Sequence, residues 1–367
     1  MENFKWYYVE EVPYYVHCMH TLIHEYLINN GYNSYLSLYS NLDMMGIPVF
    51  AKGNNSLECM VNINDPKKLG YKSKEDYLGS NISIDTCIEQ EEGLKLLKTK
   101  LLNNKSIIVS GSQYYLSYSN NYRNIKYLEN YPQTIFGIAN HWISVYDIGE
   151  SEVLVRDAAL NYVGQIKLNE FLNFWKGDRF IDGIDTIPCV DNLYVNGYAE
   201  INISERLLPD YKKLFLKVLK TICKEYLEGK VLIEDSINYY FGNLALRELS
   251  NCLSNIISIR MVKKELEVFE RCLLNSKFSR YIFRDLLIES NDILTCMCLN
   301  EEITLYNNLI VKLDNIVYMY SVYLARERLD LKIMEIILSK VEELIAFEIV
   351  IYEKIDKKLK NINTLER

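Results

Sequence analysis

An α+β domain followed by an all-α helical domain is the architecture that this sequence predicts, on three observations. Glycines and prolines concentrate in the first ~200 residues, where short β-rich runs alternate with turn signals. From about Ser204 the helix breakers thin out and apolar residues recur three and four apart, as in Leu331, Met334, Ile337, Leu338, Val341, Leu344 and Ile345. The chain of 367 residues is long enough for two cores of ordinary size. We therefore expect one domain over residues 1–200 and a helical one over 201–367, with about five helices between Ser204 and Asn361.

Within the first part, Ser106 to Val109, Trp142 to Tyr146, Val153 to Arg156 and Tyr162 to Leu168 are the strand candidates. Helices are expected over His17 to Asn30, terminated by Gly31, over Glu91 to Leu102, and over Asn169 to Trp175. In the second part Asn291-Asp292 reads as a helix start.

Composition narrows the function classes. Hydrophobic residues make up 49% and charged residues 25%, and no run approaches the ~18 consecutive apolar residues of a membrane span. Met1-Glu-Asn-Phe-Lys-Trp6 opens with an acid and has no apolar core, so it does not read as a signal peptide. Nine cysteines without paired spacing read as free thiols in a reducing compartment, and the expected location is cytoplasmic. A net charge of -8 and a pI near 5.3 argue against nucleic acid as the partner. Thirty tyrosines could line an amphipathic groove, though compositional bias is the simpler explanation.

Chemistry-bearing residues gather in two places. In Pro13-Tyr-Tyr-Val-His-Cys18-Met-His-Thr-Leu-Ile-His-Glu-Tyr-Leu27, the apolar stripe Met19, Leu22, Ile23, Tyr26 and Leu27 places Cys18 in the first turn of a helix. Unpaired backbone N–H groups and the positive end of the helix dipole favour a thiolate there and offer a donor to an oxyanion. The bland reading of any cysteine is a small buried apolar side chain, and Cys59, Cys87, Cys189, Cys223, Cys252, Cys272, Cys296 and Cys298 keep that reading. A competing reading of the first place is metal binding, since His17, His20 and His24 share a helix face beside Cys18. The spacing is not that of the metalloprotease His-Glu-x-x-His motif, and no compact His/Cys pair lies elsewhere.

The second place is Asn140-His141-Trp-Ile-Ser-Val-Tyr-Asp-Ile-Gly-Glu-Ser-Glu-Val-Leu-Val-Arg-Asp157, two strand-like runs around a glycine-containing turn. Pairing Ile148 with Ser151, or a turn one residue tighter, sets His141 opposite Ala158 or Asp157. Alternation puts His141, Ile143 and Val145 on one face, and Val153, Val155 and Asp157 on one face. A His–Asp pair ending an apolar hairpin face suits a carboxylate that orients an imidazole. A purely structural hydrogen bond is the alternative.

The order Cys18, His141, Asp157 resembles the papain-like superfamily, and more closely the N-terminal domain of the butirosin side-chain acyltransferase group. The matching pieces are His17-Cys18 opening a helix, Glu92-Gly-Leu-Lys-Leu-Leu-Lys98 leading into Ser106-Ile-Ile-Val109, and the hairpin His141 to Asp157. The sequence is also similar to carrier-dependent amide-forming enzymes of the closthioamide type. The resemblance implies a papain-like cysteine-protease fold and transfer of an acyl group from a carrier-protein thioester to an amine, a diamine in closthioamide-type assembly. By position Cys18 is then the nucleophile, His141 the base and acid, and Asp157 the orienter. The implied partners are an acyl or peptidyl carrier protein, which brings its own phosphopantetheine arm, and a small amine; no resident metal or cofactor is implied.

Two departures stand out. Glu10-Glu-Val-Pro13 holds no glutamine where papain-like peptidases place an oxyanion donor, and the Cys-Gly-Ser-Cys-Trp signature is absent. Tyr14, Tyr15 and Gln113 are the candidate second donors, and an activated thioester tolerates a less complete oxyanion hole than an amide. The alternatives are a cysteine peptidase or amidase with the same triad, and an inactive papain-like binding module. For the helical domain, dimerisation, covering the site and carrier binding are the roles in view.

Overall fold

A computed structural model describes residues 6–53, 57–58, 80–87, 89–130, 141–176, 196–203, 210–234, 237–258, 263–326 and 330–365. Cys59, Cys189 and the segment before His141 (131–140) lie outside the described residues. In chain order the first elements are α1 (Cys18–Asn29), α2 (Leu36–Leu42), β1 (Val49–Gly53), β2 (Leu57–Glu58), β3 (Ser80–Thr86), α3 (Gln90–Asn103) and β4 (Ile107–Gly111). A 3₁₀ turn (Gln113–Tyr115), α4 (Ile125–Asn130), β5 (His141–Ile148), β6 (Glu152–Asp157), β7 (Tyr162–Lys167), α5 (Leu168–Lys176) and β8 (Gly197–Ile203) follow. The rest is α6 (Tyr211–Glu228), β9 (Lys230–Glu234), β10 (Ile237–Phe241), α7 (Asn243–Ser258), α8 (Lys263–Ile293), α9 (Asn300–Leu324) and α10 (Leu331–Leu365).

The fold is mixed α+β with antiparallel sheets, and the chain divides into two compact units. Met1–Leu36 with Gly79–Arg206 form the first, and Ser37–Leu78 with Leu207–Arg367 the second. Residues 37–78, assigned to the first domain by the sequence reading, thus group with the second.

The first unit is built on an antiparallel sheet in the order β3-β8-β4-β5-β6-β7. Strand side chains alternate between faces. Ile107, Val109, Ile143, Val145, Val153 and Val155 point to one face, where they pack with Leu97 of α3 and with Phe171, Phe174 and Trp175 of α5. The opposite face carries α1, joined to it by a buried ion pair between Glu25 and Arg156 of β6. Gly111, opposite His141 in the β4–β5 ladder, lets α5 approach: a Cβ there would lie 2.2 Å from the Phe174 carbonyl oxygen.

The second unit corrects the expectation of an all-α domain. Its five long helices, α6 to α10, accompany a four-stranded sheet in the order β2-β1-β10-β9. Val49–Gly53 pairs with the hairpin that follows α6, so strands nearly two hundred residues apart in sequence complete one another (Val49↔Phe241, Gly53↔Ile237). Gly229 (φ 65) and Gly242 (φ 64) bracket that hairpin, both in the left-handed region where a side chain is strained. Asn291-Asp292 is not a helix start: α8 runs through it, and the Asn291 side chain accepts from Leu299 N at 2.7 Å to close the link into α9. Among the described residues no helix is long and apolar enough to cross a membrane.

Candidate active site

His17 makes the local structure that presents Cys18. Its backbone is extended (φ -64, ψ 135), and its Nδ1 accepts from Met19 N at 3.3 Å, the geometry of an N-cap. Cys18 is therefore the first residue of α1 and half-buried. The incoming chain is fastened along the helix: Tyr7 N donates to Asn29 Oδ1 at 2.8 Å and Val9 N donates to Glu25 Oε1 at 2.8 Å.

The described residues do not gather the histidine-rich face into a ligand set for a metal. His17 is the cap, and His24 is buried with Nδ1 against Ser34 Oγ at 2.9 Å. Burial pushes the His24 pKa down to about 4, which keeps the ring neutral at ordinary pH.

His141 and Asp157 meet as the hairpin alternation predicts, but in a different register. Ile148 pairs with Val153, not Ser151, and Gly149 N donates to Glu152 O at 2.9 Å across the turn. The ladder then shifts between Val145 and Asp147, leaving Tyr146 as a bulge, so that Val145 pairs with Val155 and Ser144 with Arg156. Continuing that register sets Asp157 opposite Ile143, one diagonal step from His141 on the same face. The side chains close the diagonal: His141 Nε2 donates to Asp157 Oδ2 at 2.6 Å.

Asp157 is fully buried and its acceptor capacity is used. Besides the imidazole, Tyr118 Oη donates to Oδ2 at 3.2 Å and Leu160 N donates to Oδ1 at 3.1 Å. The Tyr118 ring stacks on Tyr162 of β7, with centroids 3.8 Å apart. On the other side of the imidazole, Gln113 Nε2 lies 2.9 Å from Nδ1, to which it donates when the ring is neutral, and Gln113 Oε1 accepts from Asn121 Nδ2 at 2.6 Å. Of the candidate second donors, Gln113 reaches the imidazole, whereas Tyr14 is largely exposed and packs edge-on against Tyr15.

Cys18 also lies within hydrogen-bonding reach of His141. Burial alone disfavours a charged ring, but the bonds to Asp157 and Cys18, and their negative charge, outweigh it and raise the His141 pKa to about 9. The imidazole is then protonated at neutral pH, a cation between a carboxylate and a sulfur. The phenol of Tyr118 is pushed far up by burial and by Asp157 beside it, so it stays a donor.

Sequence reasoning named Cys18, His141 and Asp157, and the first unit brings all three together. It missed Tyr118, Asn121 and the Glu25–Arg156 tie, and it named Gln113 as a candidate oxyanion donor and not as a partner of the imidazole. For Gln113 a signal existed: it lies just past the strand run Ser106 to Val109, at the end where His141 begins. No protein-family model matches the chain, and no curated protein matches it.

Proposed function

We propose that this chain is a cysteine-dependent acyltransferase of papain-like fold. It moves an acyl group from a carrier-protein phosphopantetheine thioester, through acyl-Cys18, to an amine. The observation that carries the reading is Cys18 at the head of α1 within reach of an imidazole whose far nitrogen is bonded to buried Asp157. Papain-like topology is supported by the order of the parts: a nucleophile helix packed on an antiparallel sheet, with base and orienter on adjacent strands.

The chemistry divides into two halves. Cys18 thiolate attacks the thioester carbonyl, and the C–S bond to pantetheine breaks. The departing pantetheine sulfur takes the proton of His141, leaving a neutral ring. An amine then attacks acyl-Cys18, the acyl–sulfur bond breaks, and the amine proton passes to His141. Amide is released and the thiolate–imidazolium pair is restored. Backbone N–H groups at the head of α1 stand where an oxyanion on the acyl carbon would be stabilised. The proposed setting is cytoplasmic assembly of a specialised metabolite.

The test is intact-protein mass spectrometry after incubation with acylated carrier proteins, followed by a chase with buffer or amines. Acyl mass on Cys18 that persists in buffer and discharges to an amine supports transfer. Rapid discharge in buffer, unchanged by any amine and joined by peptide cleavage, makes the chain a hydrolase instead.

A further inference from the structure

Two groups converge on Nδ1 of His141, and they need opposite protonation states of it. Nε2 is committed to Asp157 at 2.6 Å, so Nδ1 is the nitrogen that faces Cys18. A thiolate at Cys18 needs Nδ1 protonated. The Gln113 amide, 2.9 Å away through its nitrogen, needs the Nδ1 lone pair. Asn121 decides which end of that amide faces the ring, because its Nδ2 donates to Gln113 Oε1 at 2.6 Å and holds the oxygen away. Asn121 is itself fixed locally, its backbone N donating to Ser119 Oγ at 3.1 Å. The segment is closed on itself by Arg123 N donating to Tyr114 O at 2.9 Å, so Gln113, Tyr118 and Asn121 arrive as one folded loop.

We propose that Gln113, held by Asn121, is a positioning residue that takes over Nδ1 from Cys18 midway through the cycle. The proposal rests on the reading of Cys18, His141 and Asp157 as a working triad. In the resting pair Nδ1–H points to the thiolate. Once the sulfur is acylated its charge is gone, and among the described residues no other negative group acts on that side of the ring. Gln113 then donates to the Nδ1 lone pair, favouring the neutral imidazole, the form able to accept the amine proton. When the amine arrives, Gln113 yields the lone pair to it, and the proton taken from the amine replaces the one that left His141 on the pantetheine thiol.

Among the described residues the groups around His141 are few. Cys18 comes from α1, Asp157 from β6 with Tyr118 behind it, and Gln113 from the loop after β4. From α5 the ring of Phe174 meets the imidazole edge-on at 6.4 Å, and Glu170 accepts from Ser117 N at 2.7 Å. With the thiolate removed, Asp157 is the charge that still favours a proton on the ring, and Gln113 is the group that opposes it.

The test uses the full chain and no substrate. Histidine-labelled protein is titrated by NMR as wild type, Cys18→Ala, Cys18→Ala/Gln113→Leu and Cys18→Ala/Asn121→Ala, with His141 assigned from His141→Gln. His24 serves as a fold reference, since it is buried and titrates far below. Cys18→Ala, standing in for the acylated state, should lower the His141 pKa by about one to three units. Adding Gln113→Leu should raise it again by about half a unit to one unit, the worth of one hydrogen bond to the neutral form. Asn121→Ala should raise it in the same direction, because the freed amide can turn its oxygen to the ring. No shift, or a fall, on adding Gln113→Leu to a chain whose His24 signal is unchanged would overturn the handover. Because no acyl donor is used, failure to load Cys18 with any acyl group would count against the proposed function alone.

Discussion

Arg156→Met should destabilise the first unit by about 3–5 kcal/mol, more than loss of any exposed ion pair. The guanidinium and the Glu25 carboxylate are both essentially inaccessible to water. Arg156 Nη2 donates to Glu25 Oε1 at 3.0 Å and to Val9 O at 2.9 Å, and Nη1 donates to Asn161 Oδ1 at 2.9 Å. Truncation strands the carboxylate in the interior with Val9 N still donating to it. Burial already holds the Glu25 pKa above its ordinary value despite the cation, so the stranded group escapes by taking a proton, which places the loss at the lower end of that range. Glu25→Leu/Arg156→Met removes both charges and should be more stable than Arg156→Met alone. Urea unfolding followed by tryptophan fluorescence is the assay, because Trp6, Trp142 and Trp175 all belong to the first unit. The tie also fixes the helix that carries Cys18 to the strand that carries Asp157, so the single variant should load acyl groups more slowly than the double. An Arg156→Met protein within about 0.5 kcal/mol of wild type, or a double variant less stable than the single, would refute the reasoning.

Four further outcomes are expected. A His141 pKa raised to about 9 means stability that is complete below the unfolded value of 6.5 and lost as pH climbs through 9. At about 1.4 kcal/mol per pKa unit this is about 3 kcal/mol, so the gap between wild type and His141→Gln in unfolding free energy should close on the alkaline side and nowhere else. His24, with its pKa depressed to about 4, works in the other direction: stability falls as pH drops from 6.5 towards 4, and His24→Gln should flatten that limb of the unfolding curve. Tyr118→Phe keeps the ring stacked on Tyr162 but takes one donor from Asp157; it should cost about 1 kcal/mol and slow discharge of acyl-Cys18 to amine more than loading, as single-turnover mass spectrometry would show. Cys18→Ala should stop acyl loading while shifting the urea midpoint little above pH 9, where the imidazole is neutral in both proteins, since the thiol is half-buried at a helix start.

How much was legible in the sequence follows the range of the interactions. Helix α1 was readable because its stripe, its cap and its terminator lie within fifteen residues, and Gly31 does take the left-handed φ of 84 that ends it. The sheet of the second unit was not readable, because Ile237-Asn-Tyr-Tyr-Phe241 becomes a strand by pairing with Val49–Gly53, and no local period reports a partner that distant. Helix-rich flanks hid it, although Gly229 and Gly242 marked its ends. The Glu25–Arg156 tie was invisible for the same reason: each residue sits in an ordinary local pattern, and only the packing of α1 on the sheet makes them partners.

The His141–Asp157 pair shows how a local pattern can be right about a face while missing the register. A ladder that pairs Ile148 with Val153 and ran on without interruption would set Asp157 opposite Ser144. That is the face occupied by α1, and His141 would be left on the other. A bulge adds one residue to one strand and reverses which side chains share a face beyond it. Tyr146 is that residue, and past it Val145 stands opposite Val155. The inserted side chain is not idle: its ring lies 4.3 Å from that of Trp6 and 6.0 Å from that of Tyr8, under the segment that leads to Cys18. Hydrophobic alternation encoded the outcome, because with Ile148 opposite Val153 the set Val153, Val155 and Asp157 can share the face of Val145, Ile143 and His141 only if the ladder slips once. The period of two constrained the site more strongly than the turn did, and the bulge is the local irregularity that reconciles them.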